Sequence, residues 1–161
     1  MTGSPLTSRE RAELYAKERA LTIEKPLGGG FDGVVLGTNR RTAVKSLNYP
    51  ILYQRERDVY LRLAEHNVNR VNGFEVPRLI DVDDRLMVIE MTIVSPPFVL
   101  DFAGALLDRK PEFELEILEE WRREKLEQFE ADWPQVQHLI WTFERWGIFL
   151  SDVHPGNVMC R

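Results

Sequence analysis

Gly28, Gly30 and Gly33 are spaced as G-x-G-x-x-G, with Val35 two residues beyond. Glycines at these positions let a backbone hairpin lie close over phosphates and present N–H groups with no side chain in the way. The same spacing serves dinucleotide-binding folds, but there it opens a helix, whereas here the β-type run "VVLG" follows, which argues against that fold. A glycine-rich hairpin that holds no ligand is the plain alternative. Downstream, Lys45 ends "AVK" on the next expected strand, and Glu56 lies inside the apolar stripe of an expected helix. A lone strand lysine reads as a solvated edge residue. The stripe carboxylate changes that reading, because it is costly to desolvate unless a cation meets it, and Lys45 is the nearest basic residue in a matching element. A Lys45–Glu56 pair behind the hairpin would hold the ammonium where it reaches α- and β-phosphates. Near the far end, "SDVHPGNVMCR" groups Asp152, His154 and Asn157 after an apolar run. Asp152 reads as a loop carboxylate capping a turn or as a reacting group, and His154 as a structural hydrogen-bonder ahead of a catalytic one. His154 and Cys160 have no companion ligands, so zinc is not expected.

These residues need elements to hold them. Thr7 and Glu10 have capping-box spacing ahead of "SRERAELYAKERAL", which predicts a short N-terminal helix. From Ile23 to Leu47 β-type runs alternate with turn residues, giving the glycine-rich hairpin and the Lys45 strand. Pro50 starts a helix that carries Leu52, Glu56, Val59 and Leu63 on one face. Two further strands are expected at "RLIDV" and "RLMVIEM", joined by a turn at Asp83-Asp84, and the Ser95 to Pro97 segment "SPP" is the candidate hinge. Beyond it a helical period is expected to return in "FVLDFAGALLD", then in an acidic segment from Glu112 to Asp132 whose apolar positions are Ile117, Leu118, Trp121 and Phe129. Asp132 and Pro134 open a last helix with Val136, Leu139, Ile140 and Phe143 on one face, and Gly147 stops it. The resulting division is an N-terminal extension at 1–22, a sheet lobe at 23–94 and a helical part at 95–161.

Composition bounds the partners. A chain of 161 residues with 43% hydrophobic content suits one ordinary domain or two small lobes sharing a cleft. Its net charge of -5 excludes a general nucleic-acid surface or an anionic-membrane anchor, so any polyanion must be held locally. Cys160 is the single cysteine, the polar start "MTGSPLTSRERAEL" has no secretory character, and no apolar stretch approaches the ~20 residues that span a bilayer. A reducing, cytoplasmic setting is expected.

Taken in order, the glycine loop, the strand lysine, the helix glutamate in "ERDVYLRL", the "LMVIEM" strand and "DVHPGN" resemble the protein-kinase-like superfamily from Ile23 to Arg161. The "HPGN" segment is most similar to the aminoglycoside-phosphotransferase and small-molecule-kinase branch. The resemblance implies an α+β fold: a complete N-terminal antiparallel-sheet lobe with one main helix, and part of a helical C-terminal lobe. It also implies ATP in the cleft between them. Gly28, Gly30 and Gly33 would cover the phosphates, Lys45 would contact them and Glu56 would orient Lys45. Val35, Ala43 and Met91 would belong to the nucleotide site, with the Glu90 to Thr92 backbone at the adenine and Ile89 behind it. Asp152 would accept or orient the proton of an attacking hydroxyl, and Asn157 would hold Mg2+. The implied reaction moves the γ-phosphoryl group to a hydroxyl of a protein or small molecule.

Two departures shape further expectations. Leu150 and Ser151 stand where the family has His-Arg or His-Gly, so the usual anchors of the catalytic loop are missing. The chain also reaches Arg161 before the family's Asp-Phe-Gly segment, whose aspartate is the principal magnesium ligand. Asn157 alone is expected to hold the metal poorly, since magnesium needs several hard oxygen ligands. Apolar surface on the last helix and on 112–132 is expected to favour self-association or a protein partner. A pseudokinase serving as an interaction module, or a site completed by another chain, are the competing expectations.

Overall fold

The computed structural model describes residues 4–161. Helix α1 (Ser8–Glu18) begins at the capping box: Glu10 N–H donates to Thr7 Oγ1, and Thr7 N–H donates to Glu10 Oε2. Strands β1 (Ile23–Gly30), β2 (Gly33–Thr38) and β3 (Thr42–Leu47) follow as an antiparallel meander, and α2 (Pro50–Glu65) starts on Pro50. Two short strands, β4 (Arg70–Val71) and β5 (Phe74–Glu75), precede β6 (Leu79–Asp83) and β7 (Val88–Thr92). The five-stranded sheet has the order β1-β2-β3-β7-β6, antiparallel throughout.

Period-two alternation in β3 and β7 serves both sheet faces. Ala43, Leu47, Ile89 and Met91 join Tyr53, Val59, Tyr60 and Leu63 of α2 in the larger core. Val44 and Val88 point the other way, into a second core with Leu36, Leu86 and Ala12, Tyr15 and Ala16 of α1. The N-terminal helix therefore covers the sheet face opposite α2. Polar contacts anchor it there: the Tyr15 hydroxyl donates to buried Glu90 Oε2 at 2.8 Å, while Thr42 Oγ1 of β3 donates to the other oxygen, Oε1, at 2.7 Å, and at the part-exposed edge Arg19 Nε donates to Asp81 Oδ2 at 2.7 Å.

Burial pushes the Asp81 carboxyl up, but the hydrogen bonds from Arg19, the Val82 N–H and Tyr15, together with the Arg19 charge, outweigh it and the net pKa lies below the ordinary aspartate value. A depressed folded-state pKa stabilises above the unfolded value and is lost as pH falls through the folded one. Acidification through that range should therefore loosen α1 first. Amide exchange in α1 is expected to accelerate before exchange in α2, and Arg19→Gln should flatten this difference.

The segment after "SPP" departs from expectation. "FVLDFAGALLD" is not helical: it forms β8 (Phe98–Val99), an irregular turn, and β9 (Leu106–Leu107). A short apolar run cannot distinguish strand from buried helix by period alone. Here Val99, Phe102, Ala103 and Ala105 all enter the larger core, and Asp101 takes a left-handed φ of 64° that a helix cannot accommodate. Helix α3 (Leu115–Phe129) and helix α4 (Trp133–Arg145) follow, then β10 (Ile148–Phe149) and β11 (Val158–Met159). β10 pairs with β9, and β11 joins β8, β5 and β4 in a second small sheet.

In α4, Val136, Leu139, Ile140 and Phe143 are buried, and Gly147 ends the helical turn at φ 72°. In α3, Phe129 is buried and Trp121 packs edge-on to Trp133, but Ile117 is exposed, while Lys125 is buried beside Gln128 and the Trp121 ring. Not every charge of the acidic segment faces water. The architecture is α+β, with an antiparallel-sheet lobe around one main helix followed by a helical part. Among the described residues no helix is long and apolar enough to cross a membrane.

Candidate functional site

A cavity of about 560 Å³ lies between the sheet lobe and the 98–157 region. The β1–β2 hairpin forms one wall with Leu27, Gly28 to Gly30, Phe31, Asp32 and Gly33. Gly33 has no room for a side chain, because a Cβ there would run into the Ser46 carbonyl across the β2–β3 pairing. Gly28 and Gly30 have open space around them, so what their lack of side chains leaves free is the cavity itself. Val35, Ala43 and Met91 line the sheet side, with Tyr60 of α2 deeper and its hydroxyl 3.2 Å from Met91 Sδ.

Lys45 reaches the floor of this cavity from β3 and meets Glu56 of α2, as the buried-carboxylate argument requires. Its Nζ lies 2.9 Å from Glu56 Oε1 and 2.8 Å from Oε2. Glu56 is 1% exposed and Lys45 13%. Burial works against the Lys45 charge, but the carboxylates of Glu56 and then Asp101 outweigh it and raise its pKa. The ammonium is therefore held charged well into the alkaline range.

The opposite wall comes from Leu100 and Asp101, just after β8, and from the loop before β11. Gly156 and Asn157 line the cavity. The Asn157 side-chain amide donates to both Asp152 O and Asp152 Oδ2, each at 3.1 Å. Asp152 itself is half exposed at the rim, with His154 Nε2 3.7 Å from its Oδ1. His154 has a clear structural task, since its Nδ1 accepts from Gly156 N–H at 3.0 Å. Ser151 supplies an anchor for this loop by donating from Oγ to the Gly104 carbonyl at 2.7 Å.

Most expected site residues converge on one cavity: Gly28, Gly30, Gly33, Val35, Ala43, Lys45, Glu56, Met91 and Asn157 all line it. Three do not. Ile89 is fully buried behind it, Asp152 stands at the rim behind Asn157, and the Glu90 side chain points to the opposite sheet face, where it meets Tyr15 and Thr42. Only the Glu90 main chain can face a ligand.

The residue that sequence reasoning missed is Asp101. Its Oδ1 lies 3.4 Å from Lys45 Nζ, and it shares the cavity with Asn157. The available signal was the acidic, aromatic, small triplet Asp101-Phe102-Ala103 after a β-type pair, which precedes the Asp152 loop instead of following it. No group of three or more His, Cys, Asp or Glu side chains among the described residues could cage a metal. The Asp101 carboxylate and the Asn157 amide oxygen are nonetheless hard donors of the kind magnesium takes when phosphate oxygens and water complete its shell.

No family model matches the chain, and no curated protein matches it. Among solved structures it is similar to an ADP-bound aminoglycoside phosphotransferase, APH(2'')-Ib, with 20% identity and a TM-score of 0.42 over 53% of this chain and 28% of that one. It is also similar to APH(2'')-IIa in a streptomycin–ATP ternary complex, with 18% identity, TM-score 0.41, and 59% and 30% of the two chains covered. The gentamicin complex of APH(2'')-IIa gives 15% identity and TM-score 0.42 over 80% and 36%. These enzymes belong to the protein-kinase-like superfamily. The chain spans about a third of the length of each of these structures. What the site can do rests on its own geometry.

Proposed function

We propose that the protein binds ATP in this cavity and transfers the γ-phosphoryl group to a hydroxyl of a protein or small molecule. The observation that carries the reading is the Lys45–Glu56 pair, nearly closed to solvent yet opening on a cavity roofed by a glycine hairpin and faced by Asn157. Lys45 contacts the α- and β-phosphates, and Glu56 fixes its direction. The N–H groups of Gly28 to Gly33 lie over the phosphate chain. Main-chain groups from Glu90 to Thr92 meet the base, with Ala43, Val35 and Met91 against its faces.

Asp152, held by the Asn157 amide, accepts the proton of the incoming hydroxyl at the rim, where an acceptor can approach from solvent. Asn157 then has its amide oxygen left for a cation. A magnesium ion, when bound, neutralises charge on the phosphoryl group in transfer. Titration with ATP and Mg2+ is expected to saturate, and negligible binding by the wild type would end the reading. In a phosphotransfer or ATPase assay, Asp152→Asn should lower the rate about a hundredfold or more while nucleotide affinity is kept, as loss of a general base does.

One observation favours a second reading, a kinase-shaped interaction module without turnover. Leu115 and Leu126 expose 77% and 54% of their surface on one side of α3, with Phe113, 57% exposed, just before it, an apolar strip suited to a protein partner or a second copy. Nucleotide binding with no detectable transfer would select this reading.

A further inference from the structure

The inner end of the cavity has a charge imbalance. Lys45 contributes one positive charge against the two carboxylates it contacts, Glu56 and Asp101, and Asp32 adds another carboxylate from the hairpin tip. A polyphosphate entering alone meets net negative charge in a poorly screened site, where each like-charge contact costs more than in water. Something in this cavity must reverse that sign.

The polar groups on the far wall are arranged to do so. β8 and β11 pair through Val99 with Val158, and one step further the Leu100 N–H donates to the Asn157 carbonyl at 2.8 Å. Asp101 and Asn157 thus leave neighbouring strands side by side. Asp101 turns out of its strand through a left-handed φ of 64°, and its Oδ1 accepts from Ala103 N–H at 3.4 Å beside Lys45. Phe102, fully buried against Tyr60 and Phe143, pins the next residue. Asn157 spends its NH2 group on Asp152, which leaves the amide oxygen as its acceptor.

The two segments are also locked together from below. The Ser151 hydroxyl donates to Gly104 at such close approach that a Cβ on Gly104 would stand 2.5 Å from the Ser151 Oγ. A carboxylate and an amide oxygen on adjacent, mutually anchored strands make a two-ligand seat for a small hard dication, whose remaining positions go to phosphate oxygens and water.

We infer that Asp101 and Asn157 together ligate the divalent cation that accompanies the nucleotide, so that the acidic ligand is supplied from before the Asp152 loop. The inference rests on the nucleotide reading above, and it replaces the expectation that Asn157 is the sole ligand in the chain. Ser151 is a positioning residue that keeps the two ligand-bearing segments in register. Asp101 is more than a counter-ion for Lys45, because Glu56 already neutralises that ammonium at 2.8 Å.

The test is the affinity for a non-hydrolysable ATP analogue, measured with and without Mg2+, alongside the electron paramagnetic resonance signal of bound Mn2+. The wild type should bind the analogue about tenfold or more tightly with Mg2+, and Asp101→Asn should reduce that ratio to about one without weakening metal-free binding. Asparagine tolerates a left-handed φ as well as aspartate does, so the variant keeps the turn. Its Mn2+ signal should fall to that of protein without nucleotide.

If that variant does not fold, Asp101→Gly, which suits a left-handed φ and removes the carboxylate, carries the same comparison: the ratio with and without Mg2+ should again fall to about one. A wild type that binds equally with and without Mg2+, or an Asp101→Asn protein that keeps the wild-type ratio, overturns this inference and leaves nucleotide binding intact. A wild type that binds no analogue under either condition overturns both.

Discussion

Replacing Lys45 by methionine should destabilise the protein by about 3–5 kcal/mol, the range for breaking a buried ion pair from one side. Glu56 is 1% exposed, and Lys45 is the cation in contact with it. Removing the ammonium leaves a fully buried carboxylate with the Phe102 backbone N–H still donating to it and the like charge of Asp101 nearby. That group must then take a proton or draw in water. Burial already pushes the Glu56 pKa above its ordinary value, with Lys45 pulling it back down, so the variant should regain part of its stability at acidic pH. The double variant Lys45→Met/Glu56→Leu should recover most of the loss, because an apolar pair of similar volume often matches a buried ion pair. Urea midpoints at constant slope measure all three proteins. A single variant as stable as the wild type would mean that Glu56 is hydrated.

Phe102→Ala should cost about 3–5 kcal/mol as well, for a different reason. The ring is fully buried, 5.3 Å from Tyr60 in an edge-on contact and 5.8 Å from Phe143. Tyr60 belongs to α2 and Phe143 to α4, so this one side chain joins the sheet lobe to the helical part across the cavity floor. Truncation removes both contacts and leaves a void that neither helix can fill without moving. Phe102→Leu, which keeps much of the volume, should cost clearly less. Because Asp101 is the preceding residue, nucleotide affinity should fall with Phe102→Ala even where the protein stays folded. Calorimetric unfolding and analogue titration on the same samples read the two effects.

The parts of the fold that were legible are those whose determinants are local. The Thr7/Glu10 capping box, Pro50 at the start of α2, and the stripe in α4 each lie within a few residues of the element they define. The Lys45–Glu56 contact was legible from a different kind of argument: a carboxylate in an apolar stripe states a requirement that few residues nearby can meet. The stretch from Phe98 to Leu107 was not legible because its partners, β11 and β10, lie far along the chain, and nothing within ten residues distinguishes strand from helix there. Asp101 was hidden for the same reason, since the triplet it opens gains meaning only when β8 pairs with β11 and sets its carboxylate beside Lys45. The orientation of Glu90 follows from strand alternation with Ile89 and Met91, but its partner Tyr15 sits on a helix that had no assigned place.

That helix gives the cavity an unusual foundation. Both carboxylate oxygens of Glu90 are engaged from behind, one by Tyr15 and one by Thr42. The strand that would greet an adenine ring is thus immobilised in advance, and a ligand arriving there spends little of its binding energy on freezing protein motion. Anything that peels the amino-terminal helix away would return that entropy to the strand and be felt as a weaker grip on the other side of the sheet.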